Sequence, residues 1–160
     1  MNTLQRIAAG TLAVALGVGL TACMTTEAEH KAAIEEFRQS TSGEFRSERG
    51  AELFLAPVRA RMVTDEAMYV ERRDPNGSTL GWLLNIEHSA DGKKIIQRAL
   101  LFTQEGQWRN LRENPELFTA LLPKDVRPGG MCDIQPSEDR NSISFSCRGG
   151  KPETFKRKIE

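Results

Sequence analysis

The chain has 160 residues, the usual size of one domain with one hydrophobic core. Its 22 basic side chains balance 22 acidic ones, and this neutrality argues against a nucleic acid or a strongly acidic partner. Hydrophobic residues make up 39% and charged residues 28% of the sequence, which predicts a folded globular chain rather than a disordered one.

The N-terminal segment has the three parts of a secretory signal. Arg6 supplies a positive charge, Ile7 to Leu20 form an apolar run, and Thr21-Ala22 are the small residues before Cys23. The apolar run is too short for a comfortable membrane span. The sequence from Leu20 to Cys23 resembles the lipobox of bacterial lipoproteins. The alternative is an ordinary cleaved signal with a coincidental cysteine.

The lipobox resemblance implies a lipid anchor. Residues 1–22 would be removed, the thiol of Cys23 would be lipidated, and residues 23–29 would form a lipidated tether. Several acyl chains on one residue hold a protein to a bilayer more firmly than a single chain. Met24 stands where such proteins carry the aspartate that retains them at the inner membrane. The resemblance therefore implies an exported protein, anchored in the outer membrane and facing the periplasm.

A helical pattern follows the tether. It runs from about Ala28 to Gln39, with Ala32, Ala33, Ile34 and Phe37 on one face. From Glu44 onward the pattern changes to short strands separated by turn-forming residues.

The clearest hairpin lies in the middle of the chain. Met68 to Arg72 and Thr79 to His88 read as strands, and Asp74 to Gly77 form the turn because Asn-Gly supplies the positive φ values that a tight reversal needs. In the second strand, Leu83 interrupts an otherwise clean alternation. The face expected to be buried carries Leu80, Trp82, Leu84 and Ile86.

The next segment combines a strand with short helices. Lys94 to Phe102 is apolar on both faces, as a strand is when both sides are covered. Asn114 is a predicted N-cap for a short helix from Pro115 to Leu122, and Pro123 indicates the start of a second helical turn. Pro128-Gly129-Gly130 predicts the end of any helix.

Apart from Cys23, the chain has two cysteines, Cys132 and Cys147. Export would place them in an oxidising compartment, where an even number of cysteines favours disulfide pairing. They lie on predicted strands, Met131 to Gln135 and Ser142 to Cys147, and are equidistant from a turn centred on Asp139-Arg140. Residues so placed face each other in an antiparallel pair, which predicts a disulfide. Two buried free thiols are the alternative. A metal site is disfavoured because the two histidines lack ligand spacing, so no metal ligand is assigned.

A basic stretch from Glu153 to Ile159 predicts a last strand that suits a sheet edge. The predicted elements together indicate a mainly β fold in a single domain over residues 30–160. The expected architecture is an antiparallel barrel or a strongly curved open sheet, with an N-terminal helix and one or two short helices.

Several landmarks follow one another along the chain: Gly43 to Ser47 with Ala51, Met68 to Glu71, Asp91-Gly92, Leu111 to Leu121, and Gly130 to Cys132. Their order resembles the CpcT/CpeT-type chromophore lyase family. The resemblance covers most of residues 43–147, and it implies a calycin-like, lipocalin-related barrel that acts on bilin pigments, which are open-chain tetrapyrroles. Gly81 to Asn85 depart from the polar stretch that the family has there, and the chain ends soon after Cys147, which implies fewer strands.

No catalytic residue is assigned, because the sequence offers no nucleophile with an oriented base. Tyr69, Glu71 and Trp82 are the candidate residues of a ligand cavity or of its mouth; the alternatives are core packing and a surface ion pair of Glu71. The favoured function is non-enzymatic binding of a small apolar ligand or of an envelope protein. The alternatives are a chromophore lyase or tetrapyrrole-handling protein, as the resemblance implies, and a purely structural envelope component.

Overall fold

The computed structural model describes residues 15–108 and 110–159, with side chains from residue 26 onward. Residues 1–14 of the predicted signal peptide therefore lie outside the described part. The described chain forms one long helix, eight strands and three short 3-10 helices. In chain order these are α1 (Ala15–Thr41), β1 (Gly43–Ser47), β2 (Glu52–Val58), β3 (Ala67–Arg73), β4 (Thr79–His88), β5 (Ile95–Phe102), 3-10 helices Glu105–Gln107, Pro115–Ala120 and Pro123–Asp125, β6 (Val126–Pro136), β7 (Ser142–Cys147) and β8 (Glu153–Arg157).

The eight strands form a closed antiparallel barrel in which each strand pairs with its neighbour in sequence. The last strand completes the ring, because Arg46 in β1 pairs with Lys156 in β8. The predicted barrel is confirmed and the open sheet is not formed. The prediction that the last strand is an edge was wrong, since β8 has a partner on each side.

The inner face of the barrel is filled by apolar side chains from every strand. Strand alternation explains this, because every second residue of a strand points to the same face. Gln97 is a buried polar residue of this face: its side-chain amide donates to the carbonyl of Ile134 and accepts from the N–H of the same residue. The largest inner side chains that are fully buried include Phe45, Leu53, Leu55, Met68, Leu84, Ile86, Ile134 and Phe155.

A second apolar cluster lies on the outside of the barrel. The segment between β5 and β6 folds back over the sheet, so that Leu111, Phe118 and Leu121 cover outward residues such as Leu83. Leu83 is therefore fully buried, and the expected covering of β5 on both faces is confirmed. The prediction that Leu80 is buried was wrong: it is 43% exposed because it lies at the open end of the barrel.

Several element boundaries differ from the sequence prediction. Helix α1 spans Ala15–Thr41 of the described chain and includes the predicted tether, because no glycine or proline interrupts residues 20–41. Ala32, expected on the buried face, is exposed. The predicted short helix is a 3-10 helix, and Asn114 does not cap it because its side-chain amide donates to the carbonyl of Asn110.

Pro128-Gly129-Gly130 lie within β6 rather than before it, at an irregularity opposite Ala99 and Leu100. Gly129 is required there, since a Cβ at this position would come within 2.6 Å of Leu101 Cγ. The irregularity lets the strand continue through a sequence that would end a helix.

Helix α1 closes one end of the barrel. Phe37 packs into the inner cluster, with Ile34 partly buried beside it. Polar contacts tie the helix to the strand ends around it: Arg38 donates to Glu66 at 2.9 Å, and His88 Nε2 donates to the carbonyl of His30 at 2.8 Å. The end closed by α1 is therefore the end at which β3 begins and β4 finishes.

Arg157 joins the end of α1 to the last strand. Its guanidinium donates to the carbonyls of Ser40, Ser42 and Arg140 at 3.1, 2.6 and 2.9 Å, and it lies over the ring of Phe45. Carbonyls at the end of a helix have no partner within the helix, and a cation there also complements the helix dipole. One side chain therefore fixes the helix, the β6–β7 turn and the barrel wall together.

We expect Arg157→Ala to lower the free energy of unfolding by about 2–3 kcal/mol, since hydrogen bonds from a charged donor are among the stronger ones. Lys156→Ala is the matched control in the same strand, because Lys156 is exposed and its contact with Glu48 is 3.9 Å long. It is expected to change stability by less than about 0.5 kcal/mol. Urea unfolding of both variants measures the difference, and equal stabilities would contradict this account.

Candidate functional site

An apolar cavity of about 200 Å³ opens at the end of the barrel away from α1. Its lining comes from the ends of β3, β5 and β7, the beginning of β4, and the loop between β7 and β8. The volume exceeds that of about 150 Å³ at which an engineered protein cavity holds benzene. The residues that line it include Trp82, Ala99, Leu101, Phe145 and Cys147, with Arg72, Leu80, Arg148 and Lys151 toward the opening.

Trp82 is the most informative residue of the cavity. It is 5% exposed and packs against Phe145 with 6.1 Å between ring centroids. Its indole N–H is buried, and among the described residues it has no hydrogen-bond acceptor. A buried donor without a partner costs free energy, on the order of 1–3 kcal/mol.

The disulfide between Cys132 and Cys147 forms part of the cavity wall. The two cysteines are directly paired residues of β6 and β7, as the turn position predicted. The bond closes a loop with a sequence separation of 15, worth about 3 kcal/mol in the chain-entropy model. It holds β6 and β7 together where β7 ends.

Arg72 stands at the opening and is already paired. It donates to Asp74 at 2.8 Å and to Glu153 at 3.1 Å, and its guanidinium lies over the ring of Phe155. Its neighbour Glu71 points to the other face of the sheet. Glu71 and Arg73 both line the outside of the barrel, so Arg72 is separated from them by the sheet.

Tyr69 and Glu71 lie outside the barrel, whereas Trp82 lies inside. The register explains the separation: Tyr69 is opposite Leu83, and Trp82 is opposite Val70. Tyr69 packs against Phe118 of the outer cluster and donates to Glu71 at 3.0 Å. The three candidate residues thus belong to two places, and only Trp82 lines the barrel cavity.

Tyr69 and Glu71 line an outer groove of about 420 Å³ together with Arg73, Trp108 and Glu113. The groove is larger than the barrel cavity, but charged and polar groups dominate its lining. Tyr69 lies so close to Gly81 that a Cβ there would come within 2.3 Å of the phenol oxygen. Gly81 therefore allows the ring to lie flat on β4.

The two histidines line neither the barrel cavity nor the outer groove. His30 and His88 stack at 4.2 Å between ring centroids where α1 meets the barrel. Among the described residues, no group of three or more His, Cys, Asp or Glu side chains is placed to hold a metal ion. Lipidation of Cys23 stays a prediction, since the side-chain description begins at residue 26.

The sequence identified Trp82 but missed the rest of the cavity lining. Phe145 shares the face of Cys147, so alternation along β7 was the signal that would have found it. Arg148 and Lys151 had no such signal, because only the closed barrel brings the β7–β8 loop beside the end of β3.

Comparison with protein-family models, with curated proteins and with solved structures found no match to this chain. In the described residues, no helix is both long enough and apolar enough to cross a bilayer.

Burial raises the pKa of Tyr69 above its ordinary value of 10, and the neighbouring Glu71 carboxylate adds to the effect. The folded state then keeps its phenol proton at a pH where the unfolded chain loses it. The stabilising contribution is complete below pH 10 and is lost as pH rises beyond it.

Tyr69 is the chain's only tyrosine, so tyrosinate absorbance reports on this residue alone. We expect little tyrosinate near pH 10 in the folded protein and its appearance only when alkali unfolds the chain. In urea the same residue should titrate near 10. A folded-state midpoint near 10 would contradict the buried Tyr69–Glu71 contact. Tyr69→Phe has no phenol proton to lose, so its free energy of unfolding should fall less steeply above pH 10 than that of the wild-type protein.

Proposed function

We propose that the barrel binds a small apolar ligand through its open end. The observation that carries the proposal is the apolar cavity of about 200 Å³ at the open end of the barrel, with Trp82 and Phe145 in its wall. Ligand sites in small barrels have this character: mostly apolar walls, with a few polar groups that orient the ligand.

The cavity volume limits the size of the ligand. One water occupies about 30 Å³ of liquid, so 200 Å³ has room for roughly seven non-hydrogen atoms. Seven methylenes at about 0.8 kcal/mol each correspond to a Kd on the order of 0.1 mM. The cavity therefore suits one ring or one short chain, with any larger part of the ligand outside the opening.

The predicted lipid anchor fits this arrangement. Helix α1 packs at the closed end of the barrel, and Cys23 belongs to the N-terminal part of that helix. An anchor on Cys23 would connect to the membrane through the closed end and leave the opening on the other side. We therefore propose an outer-membrane lipoprotein whose barrel opens away from its point of attachment.

A chromophore lyase or tetrapyrrole-handling protein remains the alternative, motivated by the landmarks from Gly43 to Cys132. A cavity that holds about one ring would have to widen to admit an open-chain tetrapyrrole. A shift of the visible spectrum of biliverdin on mixing with the protein would favour this alternative over the smaller ligand.

The ligand proposal is tested with a chain that contains only one tryptophan. The sequence has two, so Trp108→Phe leaves Trp82 as the only indole. We expect 1-octanol to cause a saturable change in Trp82 fluorescence with a Kd of about 0.1–1 mM. Trp82→Phe, which keeps Trp108 in the outer groove, should show no such change.

A substitution that fills the cavity provides a second test of 1-octanol binding. Ala99→Leu adds three carbons to the wall and should weaken 1-octanol binding at least tenfold, while Ala90→Leu on the exposed turn should leave it unchanged. Circular dichroism confirms that each variant is folded. Absence of a saturable response in folded Trp108→Phe protein would rule out the proposed ligand site.

The anchor is tested separately. We expect Cys23→Ala to abolish incorporation of labelled palmitate and to release the protein from the membrane fraction. Globomycin, which inhibits the peptidase that cleaves lipoprotein signals, should leave the wild-type chain with its signal peptide uncleaved. The double variant Cys132→Ala/Cys147→Ala keeps Cys23 and should still be labelled. Membrane sedimentation that is unchanged in Cys23→Ala would show that the chain is not held by lipid.

A further inference from the structure

The opening of the barrel cavity is positively charged. Of the described residues that line the cavity, three are basic and none is acidic. The chain as a whole is neutral, so this concentration of positive charge is local. Local charge of one sign at the opening of an apolar cavity attracts a ligand that carries the opposite charge.

Two of these cations have no carboxylate partner among the described residues. Arg72 is neutralised by Asp74 and Glu153, as described above. Arg148 and Lys151 are exposed, and within the described part of the chain neither forms an ion pair. Their charges are therefore available to a ligand.

The backbone that carries Arg148 is held in place. Its N–H donates to the carbonyl of Met131 at 2.8 Å, and the N–H of Gly150 donates to the carbonyl of Cys147 at 3.1 Å. The φ of Arg148 is 58°, so the residue itself makes the turn that directs the loop across the opening. Cys147 is also fixed by its disulfide. The cation at position 148 thus starts from a fixed backbone position at the rim.

We propose that the ligand is a single-chain aliphatic carboxylate of about eight carbons. Its chain would fill the apolar cavity, and its carboxylate would lie at the rim between Arg148 and Lys151. This inference rests on the proposed function, to which it adds the charge and the length of the ligand. A soluble carboxylate is favoured over the acyl chain of a bilayer lipid, because the opening lies at the end of the barrel away from α1.

The test compares ligands that share one chain length and differ in charge: octanoate, 1-octanol and octylamine. Binding is followed by Trp82 fluorescence in the full chain that carries Trp108→Phe. We expect octanoate to bind about tenfold more tightly than 1-octanol, since two solvent-exposed ion pairs are worth about that factor. Octylamine should bind more weakly than 1-octanol. Raising the salt concentration should reduce the preference for octanoate, because exposed charges are screened.

The rim is tested by the double variant Arg148→Gln/Lys151→Gln. It should bind octanoate no better than 1-octanol, with 1-octanol affinity unchanged. The matched control is Lys93→Gln/Lys94→Gln, which removes two exposed cations from the turn at the closed end and should keep the preference.

The outcomes separate the two proposals. Equal affinity for octanoate and 1-octanol would overturn the charge inference while leaving the apolar ligand site in place. A preference for octanoate that survives the rim variant would overturn the role of Arg148 and Lys151. Binding of none of the three compounds would overturn the proposed function itself. An affinity that continues to rise by the same factor per carbon up to dodecanoate would overturn the length of about eight carbons.

Discussion

Alternation of side chains across a closed sheet is the constraint from which the rest of this structure follows. Because β8 pairs with β1, the sheet has an inside and an outside, and each residue of a strand must belong to one of them. The inner set makes the core and the cavity. The outer set of β3, β4 and β5 makes a second cluster under the segment that links β5 to β6.

The two ends of the barrel are built differently, and this difference gives the molecule a direction. Helix α1 places Phe37 in one end and is held there by hydrogen bonds from Arg157. At the other end, side chains of the strand ends and the β7–β8 loop line the open cavity. The barrel therefore has a packed core with a helix over one end and an open apolar cavity at the other.

Much of this architecture was predictable from the sequence because the signals were local. The Asn-Gly turn, the bounds of β4 and β7, and the pairing of Cys132 with Cys147 all follow from spacing within one hairpin. The predictions that were wrong needed information from distant parts of the chain. Tyr69 and Trp82 were placed together because both are aromatic residues of neighbouring strands, but the register puts them on opposite faces. The sequence did not predict that Arg148 and Lys151 lie at the rim, because only barrel closure brings their loop to the cavity opening.

Barrel closure also determines when the chain can finish folding. The pairing of Phe45 with Arg157 joins residues at opposite termini of the domain, so the ring cannot form until the last strand has been synthesised. Contacts between such distant residues form late and slowly. For the exported protein that we propose, this delay is an advantage, because translocation as an extended polypeptide can precede folding.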